Sequence, residues 1–290
     1  MVKIDKIPFS IILPTFNREK KLEVAINSVI KQTYKHWELI IIDNKSSDKT
    51  KDLVNSYNNK KISFYEIENE GVIAKSRNLG IEKSRGEYLC FLDSDDWWHH
   101  EKLEYISKIL IKNYSFIYHN HLINSPNSFI KKRKINSINL SNSTFSNLIN
   151  FGPSFATSSV TVKKDIFKKI GCFDTDRKYI AWEDFDAWIR LSKTTNNFYK
   201  IDKSLSIINI DDANFLDDKL KIKNTYLFLN KYLKDHKKIP NWCLYNILVA
   251  EYNLSNFKEV KKILSKIVFF ELSIKKKINF IRIFFLTFFK

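Results

Sequence analysis

Four short apolar runs, separated by segments of helical periodicity, restrict the first hundred residues to very few folds. Phe9 to Leu13, Trp37 to Ile42, Ile62 to Ile67 and Glu87 to Leu92 read as strands. Glu19 to Lys31 carries Leu22, Ala25, Ile26, Val29 and Ile30 on one helical face. Ser47 stands as an N-cap before a helix over roughly Lys49 to Tyr57, and Val72 to Lys83 reads as a third helix. A strand with no polar face must be covered on both sides, which is the condition of a parallel sheet between helices. The expected fold is therefore α/β, doubly wound and mostly parallel, with ligands beyond the carboxyl ends of the strands.

Polar residues gather at those ends. Thr15, Asn17 and Arg18 follow the first strand, Asp43 ends the second, and CFLDSDDWWHH sets Asp93, Ser94, Asp95 and Asp96 after the fourth. Carboxylates this close raise one another's pKa, a cost offset by solvation in a turn, a helix N-terminus or a cation. In an extended segment Asp93 and Asp95 would point to one side, a pair suited to Mg²⁺ with its water and phosphate ligands. Asp95 or Asp96 could equally cap a following helix, and the four residues alone leave both readings open. His99 and His100 are adjacent, would diverge on such a helix, and have no Cys or third His at zinc-ligand spacing.

Farther on, the patterning weakens from Asn113 to Asn150 into long loops with short strands and a basic run at Lys131 to Lys134. Phe155 to Val162 reads as a strand, and Lys164 to Ile170 as a short helix. WEDFDAWIRLS, from Trp182, reads as a helix whose acidic first turn suits its dipole, with Trp188 in the core. Past Phe215 the spacing is helical, at Tyr226 to Leu233, Trp242 to Tyr252, Phe257 to Val268 and the terminal segment. Two parts are expected: 1–212, holding the α/β domain, and 213–290, a helical region.

The formal charge of +17 favours an anionic partner. Three scattered cysteines give no disulfide framework or metal pattern, which suits a reducing cytoplasm. No signal-peptide core and no apolar stretch long enough to span a bilayer is present in the sequence. KKKINFIRIFFLTFFK is an apolar helix with a basic flank, suited to an anionic inner-membrane surface or to docking on the helical region. Nucleic acid is disfavoured, because the basic residues are spread and no binding motif is present.

FSIILPTFNR, ELIIIDNKSSDKT, AKSRNLGIEKSRGEYLCFLDSDD and WEDFDAWIRL together resemble, in order and spacing, the family 2 glycosyltransferases of bacterial polysaccharide synthesis. The resemblance covers about residues 8–212. It implies a GT-A fold, with a nucleotide-sugar half over about 1–98 and an acceptor half over about 99–212. It further implies that Thr15, Asn17 and Arg18 line the nucleotide pocket, that Asp43 accepts from a uracil NH with Asp48 nearby, and that Ser94 belongs to the donor site. Arg77 would sit by the diphosphate or sugar, with Asn78 and Gly80 shaping a turn. Asp93 would bind ribose or metal-bound water, Asp95 a divalent Mn²⁺ or Mg²⁺, and Asp184 of the Glu183–Asp184 pair would be the general base. A cation neutralises charge on a leaving phosphate, and a positioned carboxylate takes the proton of the acceptor hydroxyl. Direct displacement inverts the anomeric centre. The implied donor is a UDP-sugar and the acceptor a growing, lipid-linked surface glycan. A nucleotidyltransferase would also pair carboxylates with a metal, but PTFNR replaces its Gly/Lys-rich loop. Many members carry a late histidine at the metal site; SIINIDDANF has none, leaving Asn209, Asp211 or Asp212 to substitute.

Overall fold

A computed structural model describes residues 8–125, 132–140, 143–210, 217–234 and 238–288. Asp211, Asp212, Lys131 and Phe289, all of which figure in the expectations above, lie outside the described residues. The chain divides into two compact units, Met1–Phe145 with Pro153–Ala213, and Ser146–Gly152 with Asn214–Lys290.

In the first unit the alternation is as the apolar runs predict: β1 (Phe9–Thr15), α1 (Glu19–Ile30), β2 (Trp37–Asp43), α2 (Thr50–Ser56), β3 (Ile62–Glu66), α3 (Ile73–Lys83) and β4 (Tyr88–Phe91). Along the chain there follow β5 (Trp97–Trp98), α4 (Lys102–Ser107), β6 (Phe116–Asn124), β7 (Lys132–Ile135), α5 (Thr144–Phe151, from Ser146 on part of the second unit), β8 (Val160–Lys163), α6 (Lys164–Lys169), α7 (Glu183–Ser192) and β9 (Phe198–Asn209). The sheet runs β3-β2-β1-β4-β8-β6-β9-β5, with β7 on β6. The first four strands are parallel. Beyond β4 the sheet is mixed, since β8 runs antiparallel to both β4 and β6 while β9 runs parallel to β6.

β1 is buried at every residue, between β2 and β4. Its register with β2 sets Thr15 opposite Asp43, so the polar residues that end the two strands share one edge. α3 lies close over β1, because a Cβ on Gly80 would fall 2.6 Å from Ile12 Cγ2. Gly80 and Asn78 therefore sit within a helix, not in the turn expected of them. Asn78 instead anchors that helix, its amide exchanging hydrogen bonds of 2.8 and 3.1 Å with the backbone of Phe173.

Other local expectations change as well. Ser47 does not cap α2; Asp48 Oδ1 accepts from Thr50 N at 3.0 Å. The weakly patterned middle contains β6, a nine-residue strand whose first six residues are buried. Only the end of the Phe155 to Val162 run is strand; Thr157–Ser159 is a 3₁₀ turn leading into β8. α7 is fixed by Trp188, which is 2% exposed and packs on Phe91, Phe116, Phe167 and Phe173 with ring centroids 5.0 to 6.0 Å away.

The second unit contains α8 (Asp218–Tyr232), α9 (Asn241–Asn253), α10 (Phe257–Leu264) and α11 (Ile274–Phe288). Leu244, Ile247, Leu248, Val260, Ile263 and Ile283 form its core. Ser146–Gly152 belongs here because Trp242 Nε1 donates to Ile149 O at 2.8 Å and lies against Gly152, where a Cβ would fall 2.7 Å from the indole. α11 both docks and remains open: Ile283 is buried and Phe280 packs on the core, while Ile274, Ile278, Ile281, Phe284, Phe285 and Phe288 are exposed. Among the described residues no helix is long and apolar enough to cross a membrane.

Candidate active site

The carboxyl edge of β1, β2 and β4 opens onto a cavity of about 250 Å³. Pro14, Phe16 and Ile73 give it apolar walls, and Thr15, Arg18, Asn44, Asn69, Ser76 and Ser94 its polar groups. Of the residues singled out in the sequence, Thr15, Arg18 and Ser94 line it. The Thr15 hydroxyl is buried without a hydrogen-bond partner, a polar atom left for something that enters the cavity. Asp43 and Asn17 do not line it. Asp43, 1% exposed, accepts from Ser46 N at 2.9 Å and Ser46 Oγ at 2.5 Å. Asn17 adopts φ 48° and accepts from Ser47 N at 2.8 Å, so both shape the loops behind the site.

Asn69, Ser76 and Asn44 were not predicted. Asn69 Nδ2 donates to Ser76 Oγ at 2.8 Å and its backbone N–H to Asn44 Oδ1 at 2.8 Å, which ties the loops after β2 and β3 to α3. The Asn-Glu-Gly sequence at 69–71 is a turn signal that could have marked them, since Gly71 takes φ +79°.

The three carboxylates after β4 separate into three roles. Asp96 N donates to Asp93 O at 3.0 Å, which closes a turn, so the alternation of an extended segment does not apply. Asp93 Oδ1 accepts from Arg77 Nη2 at 2.8 Å, and Asp95 Oδ2 pairs with Arg18 Nη1 at 2.6 Å. Asp96 is not a helix cap, because the two-residue strand β5 follows it. It is 4% exposed and accepts from Ser158 Oγ at 2.5 Å and Asn209 N at 3.0 Å. Burial first, and then the Asp93 carboxylate, push its pKa well above the ordinary value.

Arg77 joins this turn to α7. It is 4% exposed; Nη1 donates to Glu183 Oε1 at 2.7 Å while Nη2 holds Asp93. Burial alone would lower its pKa, but Asp93, Glu183 and Asp184 overcome that and hold it above the usual arginine value. Burial raises Glu183 against the pull of Arg77. Glu183 is thus committed to an ion pair, while Asp184 is half-buried and accepts from Thr157 Oγ1 at 2.6 Å and Phe185 N at 2.6 Å.

The turn offers two carboxylates with no sulfur or imidazole among them, a donor set that fits a hard divalent cation. Each is paired with an arginine. Asn209 does not add a side-chain ligand: its Oδ1 accepts from Asn124 Nδ2 at 2.9 Å, and its backbone N–H serves Asp96. His99 and His100 are not helical and do not diverge. Their rings lie 4.4 Å apart, and with Glu101 they form the one group of three potential ligand side chains among the described residues, with ligand atoms within 4.8 Å.

Residues 10–171 match the family described as Glycosyl transferase family 2. Over 263 residues, 86% of this chain and 91% of the relative, it is 30% identical to the UDP-Glc:alpha-D-GlcNAc-diphosphoundecaprenol beta-1,3-glucosyltransferase WfgD of Escherichia coli. The chain also matches glycosyltransferases from Rickettsia, of whose length it spans 33 to 38%. Its fold matches S. aureus TarS 1-349 in complex with UDP-GlcNAc, with a TM-score of 0.61 at 19% identity, covering 97% of this chain and 81% of that one. The mannosyltransferase PcManGT from Pyrobaculum calidifontis, in complex with GDP-Man and Mn2+, gives a TM-score of 0.60 at 15% identity, covering 97% and 81%.

Proposed function

The chain belongs to glycosyl transferase family 2, with a GT-A fold, and on that footing we propose that it moves a sugar from a uridine diphosphate donor to a hydroxyl of a growing, lipid-linked bacterial surface glycan, with inversion. The observation that carries this reading is Arg77, which links Asp93 on the donor side to Glu183, the neighbour of Asp184. WfgD acts with UDP-Glc on a diphosphoundecaprenol acceptor, and a TarS structure holds UDP-GlcNAc; both support a uridine donor.

Thr15, Arg18 and Ser94 bind the donor in the cavity, and Asp43 and Asn17 hold the loops behind it through Ser46 and Ser47. Asp93 and Asp95 would hold Mn²⁺ or Mg²⁺, which when bound supplies Lewis-acid neutralisation of the diphosphate charge. Arg77, fixed as a cation, adds a permanent positive charge beside that turn and cannot lose its proton during turnover. Asp184 takes the proton of the acceptor hydroxyl, and Glu183 pairs with Arg77 so that Asp184 is not drawn into that ion pair. Trp182, half-buried and packed on Phe185 with ring centroids 5.3 Å apart, would stack on a sugar face of the acceptor.

A panel of nucleotide sugars, screened for thermal shift and transfer with Mn²⁺ and with Mg²⁺, tests this. Asp95→Ala should remove the metal-dependent shift. Asp184→Asn should keep donor binding and lose transfer by about 10²- to 10⁴-fold; transfer at the parent rate in that variant would sink the base assignment.

The helical unit supports a second element of the reading, peripheral attachment to the inner face of the cytoplasmic membrane. α11 leaves six large apolar side chains exposed, and Lys275, Lys276 and Lys277 occupy its first turn. Apolar insertion beside basic residues is how an interfacial helix binds anionic lipid, and a lipid-linked acceptor would be met there.

A further inference from the structure

We propose that the 3₁₀ turn Thr157–Ser159 is a positioning device that holds the proton acceptor and the carboxylate turn in one frame. The inference rests on the assignments of Asp184, Asp93 and Asp95 above and adds two residues that do not line the donor cavity. Thr157, 5% exposed, donates from Oγ1 to Asp184 Oδ2 at 2.6 Å. Asp184 Oδ1 is already held by its own helix through Phe185 N, so Thr157 governs the other oxygen.

Ser158, the next residue, is fully buried and uses its hydroxyl and its carbonyl on the other side of the site. Its Oγ accepts from Asp93 N at 3.0 Å and donates to Asp96 Oδ2 at 2.5 Å. Its carbonyl accepts from Trp98 Nε1 at 2.9 Å and Lys102 Nζ at 2.7 Å. Asp93, Asp96, Trp98 and Lys102 span the whole connection from β4 to α4. A 3₁₀ turn advances about 2.0 Å per residue with little torsional freedom, so the grips of Thr157 and Ser158 cannot shift independently. β8 begins at Val160 and pairs with β4, Thr161 opposite Cys90, which ties the turn to the strand that delivers Asp93. A misplacement near 1 Å costs about 10²-fold in rate when reacting groups must be aligned.

Each half has its own kinetic signature. Thr157→Val keeps shape and loses the hydroxyl; its kcat should fall about 10- to 100-fold with donor KM unchanged within about twofold. Thr157→Ser restores the hydroxyl and should recover kcat to within about threefold of the parent. Ser158→Ala should instead weaken binding of UDP with Mn²⁺, read by calorimetry, by about tenfold or more. If Ser158→Ala does not fold, Ser158→Cys, with its weaker donor, is read in its place. A Thr157→Val enzyme with parent kcat, a Thr157→Ser enzyme as impaired as Thr157→Val, or parent UDP–Mn²⁺ affinity at position 158 would overturn the proposal. Asp184→Asn separates the two levels. If it transfers normally, the base assignment fails; if it is inactive while Thr157→Val keeps its kcat, the turn alone fails.

Discussion

Lys102 shows how much of this site is set beneath the surface. It is fully buried, its ammonium 3.6 Å from the Trp98 ring centroid and bonded to Ser158 O. Burial, opposed by Cys90 and Asp96, pushes its pKa down to about 7. In the unfolded chain the same lysine holds its proton up to about 10.4. Between those values the unfolded state binds more protons, so this group makes stability rise with pH from about 7 to about 10.4, its full penalty standing below 7. Lys102→Met should therefore give a flatter dependence of urea midpoint on pH over that window than the parent; equal slopes would show that the folded lysine stays charged. The same accounting explains the crowded aspartates after β4. Asp93 and Asp95 are each neutralised by an arginine, and Asp96 is withdrawn into a hydrogen-bonded interior, so no two depend on one counter-charge.

Among the elements, α3 closes tightly on β1 because Gly80 has no side chain to hold it off Ile12. Gly80→Ala would gain about 1 kcal/mol of helix propensity, and overpacking against the buried Ile12 would cost about 1 to 3 kcal/mol. Net destabilisation by up to about 2 kcal/mol in denaturant titration is expected; a more stable protein would mean that α3 can retreat at no cost. β1, β2 and β4 could be read from the sequence because they are apolar runs buried on both faces, as a covered parallel sheet demands, while β3 is an edge strand that is only half-buried. β6 could not, since His119, Asn120 and His121 interrupt it and are buried nonetheless, and β9 carries Lys200, Asp202 and Lys203. At the site, residues at strand ends stood out as charges after apolar runs. Thr157 and Ser158 did not, because small hydroxyl residues before a strand look like any turn, and their meaning lies in partners 27 to 65 residues away.

For the whole molecule, the charge is unevenly shared. Asn214–Lys290 holds sixteen Lys and Arg against six Asp and Glu, so about a quarter of the chain carries +10 of the +17. Binding to vesicles of phosphatidylglycerol should accordingly exceed binding to neutral phosphatidylcholine and weaken with salt. Ile281→Ser with Phe285→Ser, both exposed, should release the protein from such vesicles without lowering its melting temperature; vesicle binding that survives both changes would remove α11 as the anchor. The bond from Asn209 N to Asp96 has a consequence in time. The two residues are 113 apart, and β5, beside Asp96, pairs with β9. A ribosome adding about 5 to 20 residues per second needs on the order of ten seconds between them. The first four strands can therefore assemble while the turn that carries Asp93 and Asp95 is still without its last partners, and that turn is completed only near the end of the domain's synthesis.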